Sequence, residues 1–315
     1  MPSILIYTVG DRLHGMGHVQ RQIVLARELT RRGVEVIFDT PMDTPGYSRI
    51  QAAGLKIRSV PDGLKNHDAY LVDIEHGPEL DWLEFFSRYY RRIIIVGGVG
   101  FAQTNGHDAL AKLCDLQIYQ GELFDPPSSD TALSGPEYLI IDPAYARCRP
   151  SHGGHIVVSF GGADPHMLTG RALETVVGLG RAVYGIIGPA CEWEGWYSPN
   201  VEIVRSPESL APYLDGAAVC VTATGMTAYE SLCAGVPVVL TNWSEAHIRT
   251  AQELDSLGMA SNLGIWSEFD GDSLIGRVNH WLMDHGSWGY ASRPSKLLID
   301  GLGVQRVADR ICALL

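Results

Sequence analysis

The chain has 315 residues, 46% of them hydrophobic and 19% charged, with a formal net charge of −12. That length suits about two domains, each able to bury its own core, and the hydrophobic content excludes a disordered chain. The acidic balance argues against a dedicated nucleic-acid binder, whose affinity comes mainly from Lys and Arg neutralising phosphates.

The six cysteines, Cys114, Cys148, Cys191, Cys220, Cys233 and Cys312, are scattered, with no C-x-x-C pair and no histidine at ligand spacing. They read as reduced thiols, not as a disulfide or zinc framework. No apolar run approaches the roughly 18 to 20 residues needed to span a bilayer, and the start, MPSILIYTVG, lacks a basic segment ahead of a cleavable apolar one. The expectation is a cytoplasmic protein without a membrane span.

Short β-branched runs alternate with amphipathic segments, the pattern of βαβ units around a buried parallel sheet. Strands are expected at 3–8, 34–39, 55–60, 69–74, 92–96 and 115–119. Between the first two, Val19, Ile23, Ala26 and Leu29 recur at helical spacing, and Gly33 follows as a stop. Residues 121–154 are rich in Pro, Ser and Gly and read as the crossing between domains, with a short extended piece at 138–141. Strands resume at 155–160, 182–187, 201–205, 218–223 and 237–241. The closing GVQRVADRICALL sets Val304, Val307, Ile311 and Leu314 on one helical face. The reading is two α/β domains, 1–145 and 146–315, with the last helix crossing back to the first.

Ligands of open parallel sheets bind beyond the carboxyl ends of strands, which directs attention to three glycine-rich loops. The first carries Gly15-Met16-Gly17-His18 and then Arg21. Gln20 stands where a dinucleotide fingerprint needs its third glycine, so that motif is absent. An imidazole at the start of a helix suits a general base, and equally a polar group near a helix end. The second loop, with Gly161-Gly162-Ala163, offers amides to a phosphate, unless Asp164 or Thr169 caps the helix that follows. In the third, Thr224-Gly225-Met226-Thr227 opens a helix with Glu230 one turn along. That arrangement fits a phosphate with ribose hydroxyls on the carboxylate, or a capping box between Thr227 and Glu230. Asp73, Glu75 and His76 end a strand and either face a ligand or sit in solvent. Asp270-Gly271-Asp272 has a metal-binding form but reads more simply as a turn and helix cap.

G-M-G-H-V-Q-R at 15–21, S-G-P-E-Y at 134–138, V-S-F-G-G-A-D-P at 158–165 and T-G-M-T-A-Y-E-S-L-C-A-G-V-P at 224–237 together resemble the UDP-sugar hydrolase of pseudaminic acid biosynthesis. More distantly they are similar to the GlcNAc transferase that forms lipid II. The resemblance implies a GT-B fold, two Rossmann-like parallel-sheet domains facing a cleft, with the nucleotide sugar held mainly by the second. It implies that His18 is the catalytic base, and Asp73 is taken as a second catalytic candidate. It further implies that Gly17, Arg21, Gly161, Gly162, Thr224, Gly225, Met226, Thr227, Glu230 and His247 bind the nucleotide sugar. No metal or cofactor is implied, the nucleotide sugar being a substrate.

The pattern departs from that hydrolase where the sugar would lie. No tyrosine follows Asp73 in an Asp-x-Tyr motif, Gly97-Gly98 replaces an Asp-Asp pair, and Ala246-His247 stands for an Asn-Gln pair. The nucleotide side is intact, so the sugar or acceptor has changed. The leading expectation is a metal-independent inverting glycosyltransferase using a nucleotide-diphosphate sugar, a UDP-sugar first among the donors. The alternatives are hydrolysis of the same substrate and a binding module without turnover. The acceptor is left open among a small sugar, a glycan and a modified nucleic-acid base, and Trp193, Trp196 and Tyr197 are candidates to stack on it.

Overall fold

The computed structural model describes residues 1–58, 67–74, 80–97, 112–121, 123–124, 129–195 and 198–315. The chain divides into two units, Met1–Asp142 with Leu302–Leu315, and Pro143–Gly301.

Among the described residues, the first unit has seven parallel strands: β1 (Ser3–Thr8), β2 (Glu35–Asp39), β3 (Lys56–Ile57), β4 (Ala69–Asp73), β5 (Arg92–Gly97), β6 (Leu116–Tyr119) and β7 (Ala132–Leu133). Their order is β3-β2-β1-β4-β5-β6-β7. Every residue of β4 is buried, because helices cover both faces of such a sheet and an unbroken apolar run suits it. Helix α1 (Gly17–Arg31) makes the first crossover and buries Val19, Ile23, Ala26 and Leu29. It stops where Gly33, at φ 82°, donates to Thr30 O and Val34 donates to Leu29 O, a left-handed cap that glycine adopts without strain. Helices α2 (Pro45–Ala52) and α3 (Leu80–Phe86) follow later strands.

The second unit has six parallel strands among the described residues: β8 (His155–Val158), β9 (Val183–Ile187), β10 (Val201–Arg205), β11 (Ala217–Thr222), β12 (Val238–Asn242) and β13 (Ala260–Ile265). They lie in the order β10-β9-β8-β11-β12-β13. Its helices are α4 (Leu168–Val176), α5 (Ala211–Leu214), α6 (Met226–Ala234), α7 (Glu245–Ser256), α8 (Gly271–Met283) and α9 (His285–Leu298). The last helix, α10 (Gly303–Leu314), belongs to the first unit and packs on α1, burying Val304, Val307 and Ile311.

Three local readings differ from the structure. The extended piece expected at 138–141 is a 3-10 turn, Pro136–Tyr138, followed by Leu139, Ile140 and Ile141, which are buried but join no strand. Apolar composition marked burial there, not pairing. Strands β7 and β13 were not anticipated, because the two-residue β7 lies in the stretch read as a crossing and ASNLGI lacks an apolar run, and both sit at a sheet edge, where one neighbour is enough. The strand at 55–60 is represented by β3, and its last two residues lie outside the described residues.

Candidate functional site

Each sheet has one point where the strand order turns back, and crevices for ligands form at the carboxyl ends of the two strands flanking it. In the first unit these strands are β1 and β4, and in the second β8 and β11. The three glycine-rich loops follow β1, β8 and β11. The fourth flanking strand, β4, ends in Asp73.

Asp73 is fully buried and collects hydrogen bonds from one face of α1. His18, Arg21 and Gln22 are spaced i, i+3 and i+4, so they project together. Arg21 donates from Nε to Asp73 Oδ2 at 2.7 Å and from Nη2 to Oδ1. Gln22 Nε2 donates to Oδ2 at 2.7 Å. His18 Nδ1 lies 2.9 Å from Oδ1 and also 2.9 Å from Arg21 Nη2. Burial alone would raise the Asp73 pKa, but the charge of Arg21 and the hydrogen bonds from His18 and Arg21 outweigh it and hold the carboxyl at about 2. Asp73 is therefore an ionised, acceptor-only group, neither solvated nor open to a ligand.

The sequence reading missed Gln22, and it gave Arg21 a ligand contact. The structure instead commits the Arg21 guanidinium, 4% exposed, to Asp73. Thr8, in register with Asp73 across β1 and β4, is a further buried polar group here, and its hydroxyl has no partner among the described residues. Glu75, His76 and Gly98 lie outside the described residues.

The ionisation of Asp73 links stability to pH. Its folded value lies below the ordinary 3.8, so the stabilisation is complete above about pH 4 and is lost as pH falls through about 2. Glu28, held at about 2 chiefly by its hydrogen bond from Arg31, titrates in the same window. The Asp73 share, about 2 kcal/mol, is the difference between the urea stability profiles of the wild type and Asp73→Asn from pH 5 to 2.

In the second unit, a side chain caps the helix after one of the two glycine-rich loops and not, among the described residues, the helix after the other. After β8, Asp164 accepts from Leu168 N at 2.9 Å and from Thr169 N at 2.8 Å, so its carboxylate already serves the first amides of α4. Thr169 does not cap; it donates. Asp164→Ala is expected to cost about 1 kcal/mol, read as a lowered thermal midpoint. Gly161 and Gly162 lie in the preceding turn, half-exposed.

After β11, among the described residues, no side chain caps α6. Gly225 at its start has φ 154°, a backbone setting that glycine supplies. Thr224 Oγ1 donates to Asn242 Oδ1 at 2.6 Å instead, and Thr227 accepts from Ser231 only through its backbone oxygen. No capping box forms, and the first amides of α6 face a half-exposed position at Gly225 and Met226. Glu230, buried, is hydrogen-bonded to Tyr145, whose hydroxyl also accepts from Leu210 N at 3.2 Å. Burial, with the Glu230 carboxylate beside it, pushes the Tyr145 phenol well up, so it remains a neutral donor. Asn242, which the sequence did not flag, ties the loop after β11 to the end of β13 by donating to Asn262 Oδ1 and Gly264 O, each at 2.9 Å.

His247 lies in the first turn of α7, its Nδ1 2.8 Å from Ser244 Oγ, and burial lowers its pKa. Asp270 caps α8 through Asp272 N and Ser273 N, as the simpler reading of that motif held. Trp193 packs on the core beside Gly170, whereas Trp196 and Tyr197 lie outside the described residues. Among the described residues no helix is long and apolar enough to cross a membrane.

No family model matches the chain. It is 26% identical to the uncharacterized protein MJ1062 of Methanocaldococcus jannaschii over 76% of this chain, and spans about half of that relative, 55% of its length. It is 22% identical to the spore coat polysaccharide biosynthesis protein SpsG of Bacillus subtilis, over 96% of this chain and 95% of SpsG. Among solved structures, the spinosyn rhamnosyltransferase SpnG complexed with thymidine diphosphate matches with a TM-score of 0.67 at 15% identity, over 98% of this chain and 99% of that one. MurG of Acinetobacter baumannii matches with a TM-score of 0.63 at 14% identity, over 99% and 100%. The likeness to these structures is one of fold, and the fold of this chain is that of the GT-B glycosyltransferases.

Proposed function

We propose that the protein is an inverting glycosyltransferase that takes a nucleotide-diphosphate sugar, a UDP-sugar first among the donors, and needs no metal ion. The observation that carries this reading is the bonding of His18 at Asp73. An arginine only donates and an ionised carboxylate only accepts, so Nδ1 serves one of them. The guanidinium already has Asp73, and the Nδ1 proton goes to the carboxylate. That tautomer leaves the lone pair on Nε2, which has no partner among the described residues.

Nε2 then removes the proton of an acceptor hydroxyl while its oxygen bonds to the anomeric carbon. The bond from that carbon to the diphosphate oxygen breaks on the opposite face, and the nucleoside diphosphate leaves with the electron pair. The configuration inverts, and the imidazolium formed is stabilised by Asp73. The first amides of α6, at Met226 and Thr227, take the departing diphosphate, with Gly161, Gly162 and Gly225 allowing close approach. Glu230 accepts the ribose hydroxyls. Because the chain carries −12, this local field at a helix end does the work that bulk charge does not.

The likeness to SpsG, whose name places it in polysaccharide biosynthesis, and to SpnG, solved with thymidine diphosphate, supports a sugar-nucleotide substrate. The test is release of nucleoside diphosphate from a panel of UDP- and TDP-sugars, with and without saccharide acceptors. Transfer predicts slow release that quickens with an acceptor. Fast release of free sugar without one means hydrolysis, and ligand-induced stabilisation without product means a binding module.

A further inference from the structure

The Asp73 carboxylate is saturated with donors. An ionised carboxylate offers about four acceptor positions, two on each oxygen. Arg21 Nη2 and His18 Nδ1 reach Oδ1, while Arg21 Nε and Gln22 Nε2 reach Oδ2. Of these donors only the Gln22 amide is neutral at every pH, and it lies fully buried one helical turn beyond His18. The other end of the amide is unsatisfied: Gln22 Oε1 is buried and has no hydrogen-bond partner among the described residues. A buried acceptor without a donor is unfavourable, and a methionine of nearly the same length would fill the place without that cost. The half-satisfied amide therefore gives the fold little that an apolar side chain would not, and its bond at 2.7 Å is spent on Asp73.

That bond acts on His18. Each donor to a carboxylate disperses its charge and weakens its hold on the others. Among the described residues, the charged groups bonded to His18 are Asp73, from β4, and Arg21, from its own helix. Asp73 favours an imidazolium, and Arg21, whose Nη2 lies 2.9 Å from Nδ1, opposes it. The amide on Oδ2 moves this balance toward the neutral ring that a general base needs. Thr8, buried and in register with Asp73 on the neighbouring strand, does not bond the carboxylate, and its hydroxyl also has no partner among the described residues.

We infer that Gln22 is a positioning residue for His18: its amide occupies the last acceptor position of Asp73 and so limits the pull of the carboxylate on the imidazole. This rests on the reading of His18 as the base. The test is titration of the His18 ring in the full chain by proton–nitrogen NMR, its signals identified by their loss in His18→Ala. Wild type is compared with Gln22→Met and with the double variant Thr8→Val, Gln22→Met, each verified as folded by thermal melting. The double variant removes the neighbouring hydroxyl as well, so that it cannot take the place of the amide. The His18 midpoint is expected to rise by about 0.5 to 1 pH unit in both, and the acidic limb of kcat/KM on the productive donor to move with it. A glutamine that serves the fold alone predicts a lowered melting point with the His18 midpoint unmoved, and that result, or a fall in the midpoint, would overturn the inference. The NMR measurement needs no substrate, so a raised midpoint in a protein that turns over no sugar nucleotide would uphold the role of Gln22 and overturn the glycosyltransferase reading instead.

Discussion

His18→Ala lowers kcat by about 10²- to 10⁴-fold, the loss of a positioned general base, equivalent to roughly 3 to 5 kcal/mol of barrier. The affinity for nucleoside diphosphate stays at its wild-type value, because the loops assigned to it after β8 and β11 belong to the other unit. Asp73 keeps its bonds from Arg21 and Gln22 in this variant, so the fold retains its buried ion pair. A histidine with a purely structural role would behave oppositely, lowering the melting point while turnover per folded molecule persisted. Steady-state rates on the productive donor, with a melt and a titration of the same preparation, separate the two.

Asp73→Ala is expected to destabilise the chain by about 3 to 5 kcal/mol, because it leaves the Arg21 guanidinium buried without a counter-charge. Against a typical total of about 5 to 15 kcal/mol, that is enough to deplete the folded population. Removing both charges changes the outcome, since the double variant Asp73→Leu, Arg21→Leu has no uncompensated ion and recovers much of the stability. It does not recover turnover, because His18 then lacks the carboxylate that sets its tautomer. A double variant that is stable and fully active would show that the buried cluster serves the fold alone. Urea unfolding and steady-state rates on the single and double variants make the comparison.

The fold was legible in the sequence because parallel strands buried on both faces must be apolar runs, as in β4 and β11, and because α1 repeats its apolar residues at helical spacing. The edge strand β13, with its mixed ASNLGI, was invisible to this logic, whereas the edge strands β3 and β10 were not. His18 and the glycine-rich loops were legible from their places after strands. Gln22 was not, since a glutamine four residues from a histidine reads as the wet side of a helix until Asp73 is known to lie opposite. The i, i+3, i+4 set of His18, Arg21 and Gln22 beside a strand ending in aspartate was the available signal. For Asp164 and for Thr224 with Thr227, sequence offered cap or ligand contact, and the path of each side chain shows Asp164 capping its helix and, among the described residues, the two threonines capping none.

The central claim is a single displacement driven by one base, and the anomeric configuration of the product tests it most directly. Proton NMR of the reaction mixture, recorded within the first turnovers before free sugar mutarotates, reads that configuration from the anomeric coupling constant, whether the acceptor is a saccharide or water. The account predicts a product of inverted configuration relative to the donor, formed by wild type and not by His18→Ala on the same timescale. Retention of configuration, or inversion at an undiminished rate in His18→Ala, would contradict it.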